Sequence, residues 1–156
     1  MNRTSNALPS SATWLGLAGV LPQLVACVAG VTNPQWSGFI GIASFAYASL
    51  IFSFLGGLWW GVGLTTPKTQ SWIYAAAVCP SLVAWGGALA IYAEPKWWPT
   101  AMGVVAIGLI ISPLVDVQIA KSAPLPEGWI KLRWTLSVGL GFLTLAIAVF
   151  LRHAII

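Results

Sequence analysis

The segment SGFIGIASFAYASLIFSFLGGLWWGVGL, residues 37–64, decides the fold. It holds no charged side chain and is mostly apolar. A helix needs roughly 20 mostly apolar residues to cross about 30 Å of hydrocarbon. This run exceeds that length, so it can tilt or extend past the bilayer. Four further runs qualify, at 12–31, 71–93, 97–120 and 132–152. Between them lie short connectors carrying turn residues: Thr32-Asn33-Pro34, Thr66-Pro67-Lys68, Glu94-Pro95-Lys96 and Ala123-Pro124-Leu125-Pro126. None is long enough to fold alone. The expected architecture is all-α: a polytopic membrane protein, one domain over 1–156, built as a five-transmembrane-helix bundle. Barrel strands alternate apolar and polar residues, and these runs do not.

Composition agrees. Of 156 residues, 58% are apolar and 6% are charged, with 7 Lys+Arg and 3 Asp+Glu; a soluble domain carries about 25% charged residues. The mean hydropathy is +0.87. A soluble globule, a disordered chain, a coiled coil and a nucleic-acid-binding module are all excluded.

Basic residues near span ends set the expected orientation. Arg3, Lys68, Lys121, Lys131 and Arg133 fall on the N-terminal side, Lys96 and Arg152 on the other. The expected location is a bacterial inner membrane, with the N-terminus cytoplasmic and the C-terminus external. Leu24-Val25-Ala26-Cys27 resembles a lipoprotein cleavage box. Pro22 and Gln23 interrupt its apolar region, however, and four more spans follow, so Cys27 is expected inside a transmembrane helix. Cys27 and Cys79 differ in depth by about 10 Å at helical rise, too far for a disulfide.

Ten tryptophans are present. Trp36, Trp97 and Trp98 fall at one membrane boundary, and Trp14, Trp72, Trp129 and Trp134 at the other, as expected of anchoring belts. Trp85, Trp59 and Trp60 lie deeper and need hydrogen-bond partners or an interfacial position. Within the second span, Ser49, Ser53, Gly57 and Gly61 recur every four residues, a small-residue stripe that predicts a tight helix–helix seam within the chain. Gly56 flanks Trp59 and gives its ring room. Gly86, Gly87, Gly103 and Gly108 are candidate packing partners. Pro22, Pro80 and Pro113 each interrupt a span and are expected to kink it.

Asp116 is the one acidic residue inside a span, and a carboxylate in hydrocarbon needs a partner or a role. Ser112, four residues earlier, can donate to it. Arg133, at the same depth on the last span, has the planar fork for a bidentate pair. An Asp116–Arg133 pair locking the fourth span to the fifth is expected. Trp59, Trp60, Asp116 and Arg133 share a depth, where an aromatic-walled pocket can form. The single histidine, His153, is terminal. No cluster has metal-ligand spacing, and no nucleophile–base pair or acidic dyad is present; neither metal, cofactor nor catalysis is expected.

Four blocks resemble the family known as domain of unknown function 3429, the transmembrane protein 69-like proteins. They are Gly19-Val20-Leu21-Pro22; Tyr47 with the run from Leu50 to Gly61; Asp116; and Pro126 to Arg133, with Trp129, Leu132 and Arg133 leading into the last span. At Trp59 the family often carries His or Arg. The resemblance implies a small multi-pass membrane protein and no established activity. The tryptophan-rich sensory/translocator family resembles the chain in span count, length and tryptophan content; its members bind porphyrins and sterol-like ligands.

The expected function is that of a non-enzymatic accessory, assembly or scaffold subunit acting by helix packing, with the lipid bilayer, other membrane subunits or a second copy as partners and no nucleic acid. The alternative is a binder or carrier of a small hydrophobic molecule, using the aromatic pocket on the cytoplasmic side. Candidate residues are Asp116, Arg133, Trp59, Trp60, Ser53, Gly56, Gly57 and Gly61.

Overall fold

The computed structural model describes residues 8–67 and 70–152. Arg3, Lys68 and His153 lie outside the described residues. Six α-helices follow in order: α1 (Ser10–Ala18), α2 (Leu21–Thr32), α3 (Ser37–Thr65), α4 (Trp72–Ala93), α5 (Trp98–Ile119) and α6 (Trp129–Phe150). Among the described residues, five segments are long and apolar enough to cross a membrane, with α1 and α2 together forming the first. The protein is thus an all-helical bundle of five spans, with boundaries within three residues of those expected from hydropathy. Short 3₁₀ turns at Pro34–Trp36 and Pro95–Trp97 start α3 and α5. Gly128, at φ 83°, turns the chain into α6 through a left-handed conformation that a side chain would strain.

The prolines behave differently from one another. Pro22 does not kink a continuous first helix. The chain breaks at Gly19–Val20, and Pro22 occupies the first turn of α2, where its missing N–H costs nothing. A break in hydrocarbon exposes carbonyls that must find donors; the Tyr47 hydroxyl of α3 donates to the Gly19 carbonyl. Pro80 and Pro113 do lie inside α4 and α5, and both are fully buried. Pro113 cannot donate to the Leu109 carbonyl. The Ser112 hydroxyl donates to that carbonyl instead, at 2.8 Å.

Packing is densest along α5, whose Met102, Val105, Ala106 and Leu109 are fully buried. The most extensive interfaces are α5 with α6 and α3 with α4. On α3, the inward face carries Phe45, Ala48, Phe52, Leu55, Gly56, Trp59 and Gly63. A Cβ on Gly56 would collide with the Ala77 carbonyl of α4. One on Gly108 would sit 2.5 Å from the Phe52 ring, and one on Gly87 3.2 Å from Phe45. Glycines here are notches for α3 aromatics, the close approach that helix association in lipid requires.

Three expectations are corrected. The stripe of Ser49, Ser53, Gly57 and Gly61 is not an internal seam: Gly57 and Gly61 are exposed, with nothing within 4 Å of an added Cβ, and the two serines are half-buried. Gly86 and Gly103 likewise face open space. Trp98 is no belt residue; it is fully buried and its indole nitrogen has no partner. Trp14, Trp36, Trp97 and Trp134 remain exposed, as does the deeper Trp85. Cys27 and Cys79 are unbonded.

Neighbouring glycines therefore differ sharply. Gly56→Ala should lower stability by about 1–3 kcal/mol, the usual cost of overpacking, whereas Gly57→Ala should be neutral or stabilise by up to about 1 kcal/mol. Thermal melts in detergent test this; a Gly57→Ala variant that melts below Gly56→Ala would contradict the packing.

Candidate functional site

A carboxylate sits at the centre of the arrangement. Asp116 projects from α5 and is 3% exposed; Arg133 of α6 is 4% exposed. Arg133 Nε donates to Asp116 Oδ2 at 2.8 Å. The other carboxylate oxygen, Oδ1, accepts from the Trp59 indole nitrogen at 3.1 Å. Three helices, α3, α5 and α6, thus meet on one carboxylate. The pair is formed through Nε and is not bidentate, because Arg133 Nη2 turns to Ser112 Oγ at 3.4 Å. Nor does Ser112 donate to Asp116. Its proton goes to the Leu109 carbonyl freed by Pro113, which leaves Ser137 to donate across the 3.1 Å contact between the two hydroxyls. Tryptophan at position 59 supplies this contact as an N–H donor.

Trp60 does not join this group. Successive helical residues diverge by about 100°, so a buried Trp59 turns Trp60 outward. It is 43% exposed, edge-on to Tyr74 with ring centroids 5.0 Å apart. Ser53, Gly57 and Gly61 also lie away from the carboxylate, on the outer side of α3, while Gly56 serves the α3–α4 contact. Trp60 therefore does not wall a pocket together with Trp59 and Asp116.

A different cavity is present. It lies between α1, α3 and α6, with a volume of about 430 Å³. That is within the range of about 300–1,000 Å³ for small-molecule sites. Leu15, Val20, Ile51, Phe54, Leu58 and Leu136 contribute to an almost wholly apolar wall. Its polar lining comes from α6: Trp129, Arg133 and Ser137. The Trp129 indole nitrogen is buried and has no partner. The cavity exists because α1 stands off from the bundle: none of the residues of α1 is buried, and its main contact is with α6.

A second buried polar group was not anticipated. Gln23 of α2 is fully buried. Its Nε2 donates to Ser44 Oγ of α3 at 2.6 Å and to Thr144 Oγ1 of α6 at 2.9 Å. Thr144 passes its own proton to the Leu140 carbonyl at 2.8 Å. The available signal was an amide in the middle of an apolar span, with Ser44 and Thr144 at a similar depth on others. No group of three His, Cys, Asp or Glu residues is placed to hold a metal among the described residues.

Fold and site together define a small polytopic helical membrane protein whose spans are joined by buried polar clusters. The model of the family described as "Protein of unknown function (DUF3429)" matches residues 8–150, and the chain belongs to that family. Transmembrane protein 69 of Xenopus tropicalis is 32% identical over 130 residues, covering 79% of this chain and 47% of the relative. The chain thus spans about half the length of that relative. No solved structure matches the chain.

Breaking one side of a buried ion pair leaves an uncompensated charge, at a cost of about 3–5 kcal/mol. Arg133→Ala should show a loss of that size, and exposed Lys131→Ala one within about 0.5 kcal/mol of wild type. Equal losses in denaturant titrations of the two variants would refute the structural role of the pair.

Proposed function

We propose that this protein is a membrane-embedded binder of a small hydrophobic molecule, held in the cavity between α1, α3 and α6. One observation carries the reading: an apolar cavity of about 430 Å³ that has buried polar side chains at one place in its wall. Such convergence of a few polar groups in an apolar cleft is the usual form of a ligand site. This is a different cavity from the Trp59–Trp60 pocket. No catalytic step is part of the proposal. We take the setting to be a bacterial inner membrane with the α1 end facing the cytoplasm. Among the described residues, Lys121, Lys131 and Arg133 at that end against Lys96 and Arg152 at the other support the orientation.

Ala12 lines the cavity from α1 and is exposed, so Ala12→Trp should fill it with little harm to the core. Wild-type protein in lipid nanodiscs should bind radiolabelled methyl decanoate saturably at one per chain. Ala12→Trp, at unchanged melting temperature, should lose that binding. Equal binding by both proteins would reject the reading.

A second reading, a packing subunit of a larger membrane complex, is favoured by Gly57 and Gly61, which present bare backbone on the outer face of α3. Cysteine placed at Gly57 should then cross-link in membranes to a defined partner or a second copy. Cysteine at exposed Leu82 of α4 serves as the control, and matching patterns from the two positions would rule this reading out.

A further inference from the structure

We propose that the cavity between α1, α3 and α6 holds a single acyl chain of a membrane lipid, which enters sideways from the bilayer and leaves its head group outside; this rests on the binding reading above. The state of the polar side chains in the wall comes first. Arg133 Nε is bonded to Asp116 and its Nη2 to Ser112, and Ser137 is bonded to Ser112. Arg133 and Ser137 are buried, and the Trp129 indole nitrogen is enclosed by protein. What the cavity offers an occupant is therefore hydrocarbon. A head group drawn inside would lose its water with little to replace it, so it stays at the membrane surface.

Shape and size then fit one chain. The lining on α6 runs from Trp129, its first residue, to Leu140. Those eleven residue steps cover about 16 Å at helical rise, close to half of the roughly 30 Å hydrocarbon core. On α3 the lining, Ile51 to Leu58, falls in the second half of the helix, on the same side of the membrane. The cavity thus follows one leaflet from its surface to the bilayer middle, the path of an extended tail. An engineered apolar cavity of about 150 Å³ holds one benzene. On that scale about 430 Å³ takes roughly 15–18 carbons, one acyl chain and not two. The way in is lateral: Leu15 of α1 and Phe54 of α3 both line the cavity and are largely exposed on the outer surface of the bundle, where lipid tails lie against them.

The test uses nanodiscs doped with a phosphatidylcholine that carries a diazirine near the middle of one chain. After photolysis, labelled residues are mapped by mass spectrometry. Leu55 and Leu140 line the cavity yet are buried, so a tail reaches them only from within it. Val105 of α5 is buried and outside the lining, and Leu82 of α4 is exposed; they serve as negative and positive controls. Leu55 and Leu140 should be labelled several-fold more than Val105. Excess methyl decanoate, and separately Ala12→Trp, should abolish that label and leave Leu82 unchanged. Labelling of Leu55 and Leu140 no stronger than that of Val105, or a label that survives Ala12→Trp, overturns the acyl-chain assignment. If radiolabelled methyl decanoate still binds saturably in that case, the cavity stands as a site for a free molecule. If neither the tail nor the ester enters, the binding reading falls as well.

Discussion

The structure depends on one constraint: a carboxylate held where water cannot solvate it. Asp116 must find its partners inside the protein. Arg133 supplies the charge and Trp59 an additional N–H. Because these groups stand on α6 and α3, satisfying the carboxylate fixes the relative depth and rotation of three helices at once. Rotating α3 out of this setting would carry the Trp59 indole away from Oδ1. A buried pair of this kind is weak evidence for net stability, since desolvation offsets much of its attraction. Its contribution here is register. Apolar packing between spans supplies little of that, because lipid tails compete equally for the same faces.

The same accounting of polar groups explains features that composition leaves unrelated. Two of the helix interruptions have a hydroxyl beside them. Tyr47 donates to Gly19 at the α1–α2 break, and Ser112 donates to the Leu109 carbonyl that Pro113 cannot reach. Ser112 then has only lone pairs left, which receive Arg133 Nη2 and the Ser137 hydroxyl. The proline in α5 is thereby tied to the ion pair one turn further on. Gln23 does similar work at a second level, joining α2 to α3 and α6 through Ser44 and Thr144.

Spans and their order were legible in the sequence because hydropathy over a helix length is a sum, insensitive to the fate of any one residue. The Asp116–Arg133 pairing was legible too, since a lone intramembrane acid with one cation at matching depth leaves few solutions. The stripe at Ser49, Ser53, Gly57 and Gly61 misled because small side chains mark a face that can be approached closely, not one that is. The occupied face runs through Gly56, offset by one residue, where Ala77 and Pro80 of α4 arrive. Trp59 and Trp60 share a depth, but depth says nothing about direction around the helix axis. Gln23 was passed over because an uncharged amide carries a weaker hydropathy signal than a carboxylate, although its need for partners in hydrocarbon is similar in kind. The cavity could not be read at all: it follows from the path of α1 after the break at Gly19, a tertiary result.

That path connects the polar clusters to binding. α2 is pinned by Gln23, α3 by Trp59 and Ser44, α5 by Asp116 and Ser112, and α6 by Arg133, Ser137 and Thr144. Among the described residues α1 is the one α-helix that buries none of its side chains, and its link to α2 is held by the Tyr47 bond to Gly19 rather than by packing. On the binding reading, an apolar molecule entering beside α1 would displace few protein contacts and break neither polar cluster. The register set by Asp116 keeps Arg133 and Trp129 on the cavity wall. A binding site placed between α3 and α4 instead would have to part the Gly56–Ala77 contact before admitting anything. The rigid polar core and the loosely covered cavity are two consequences of one arrangement, in which the buried carboxylate holds α3, α5 and α6 together and leaves the first half-span free.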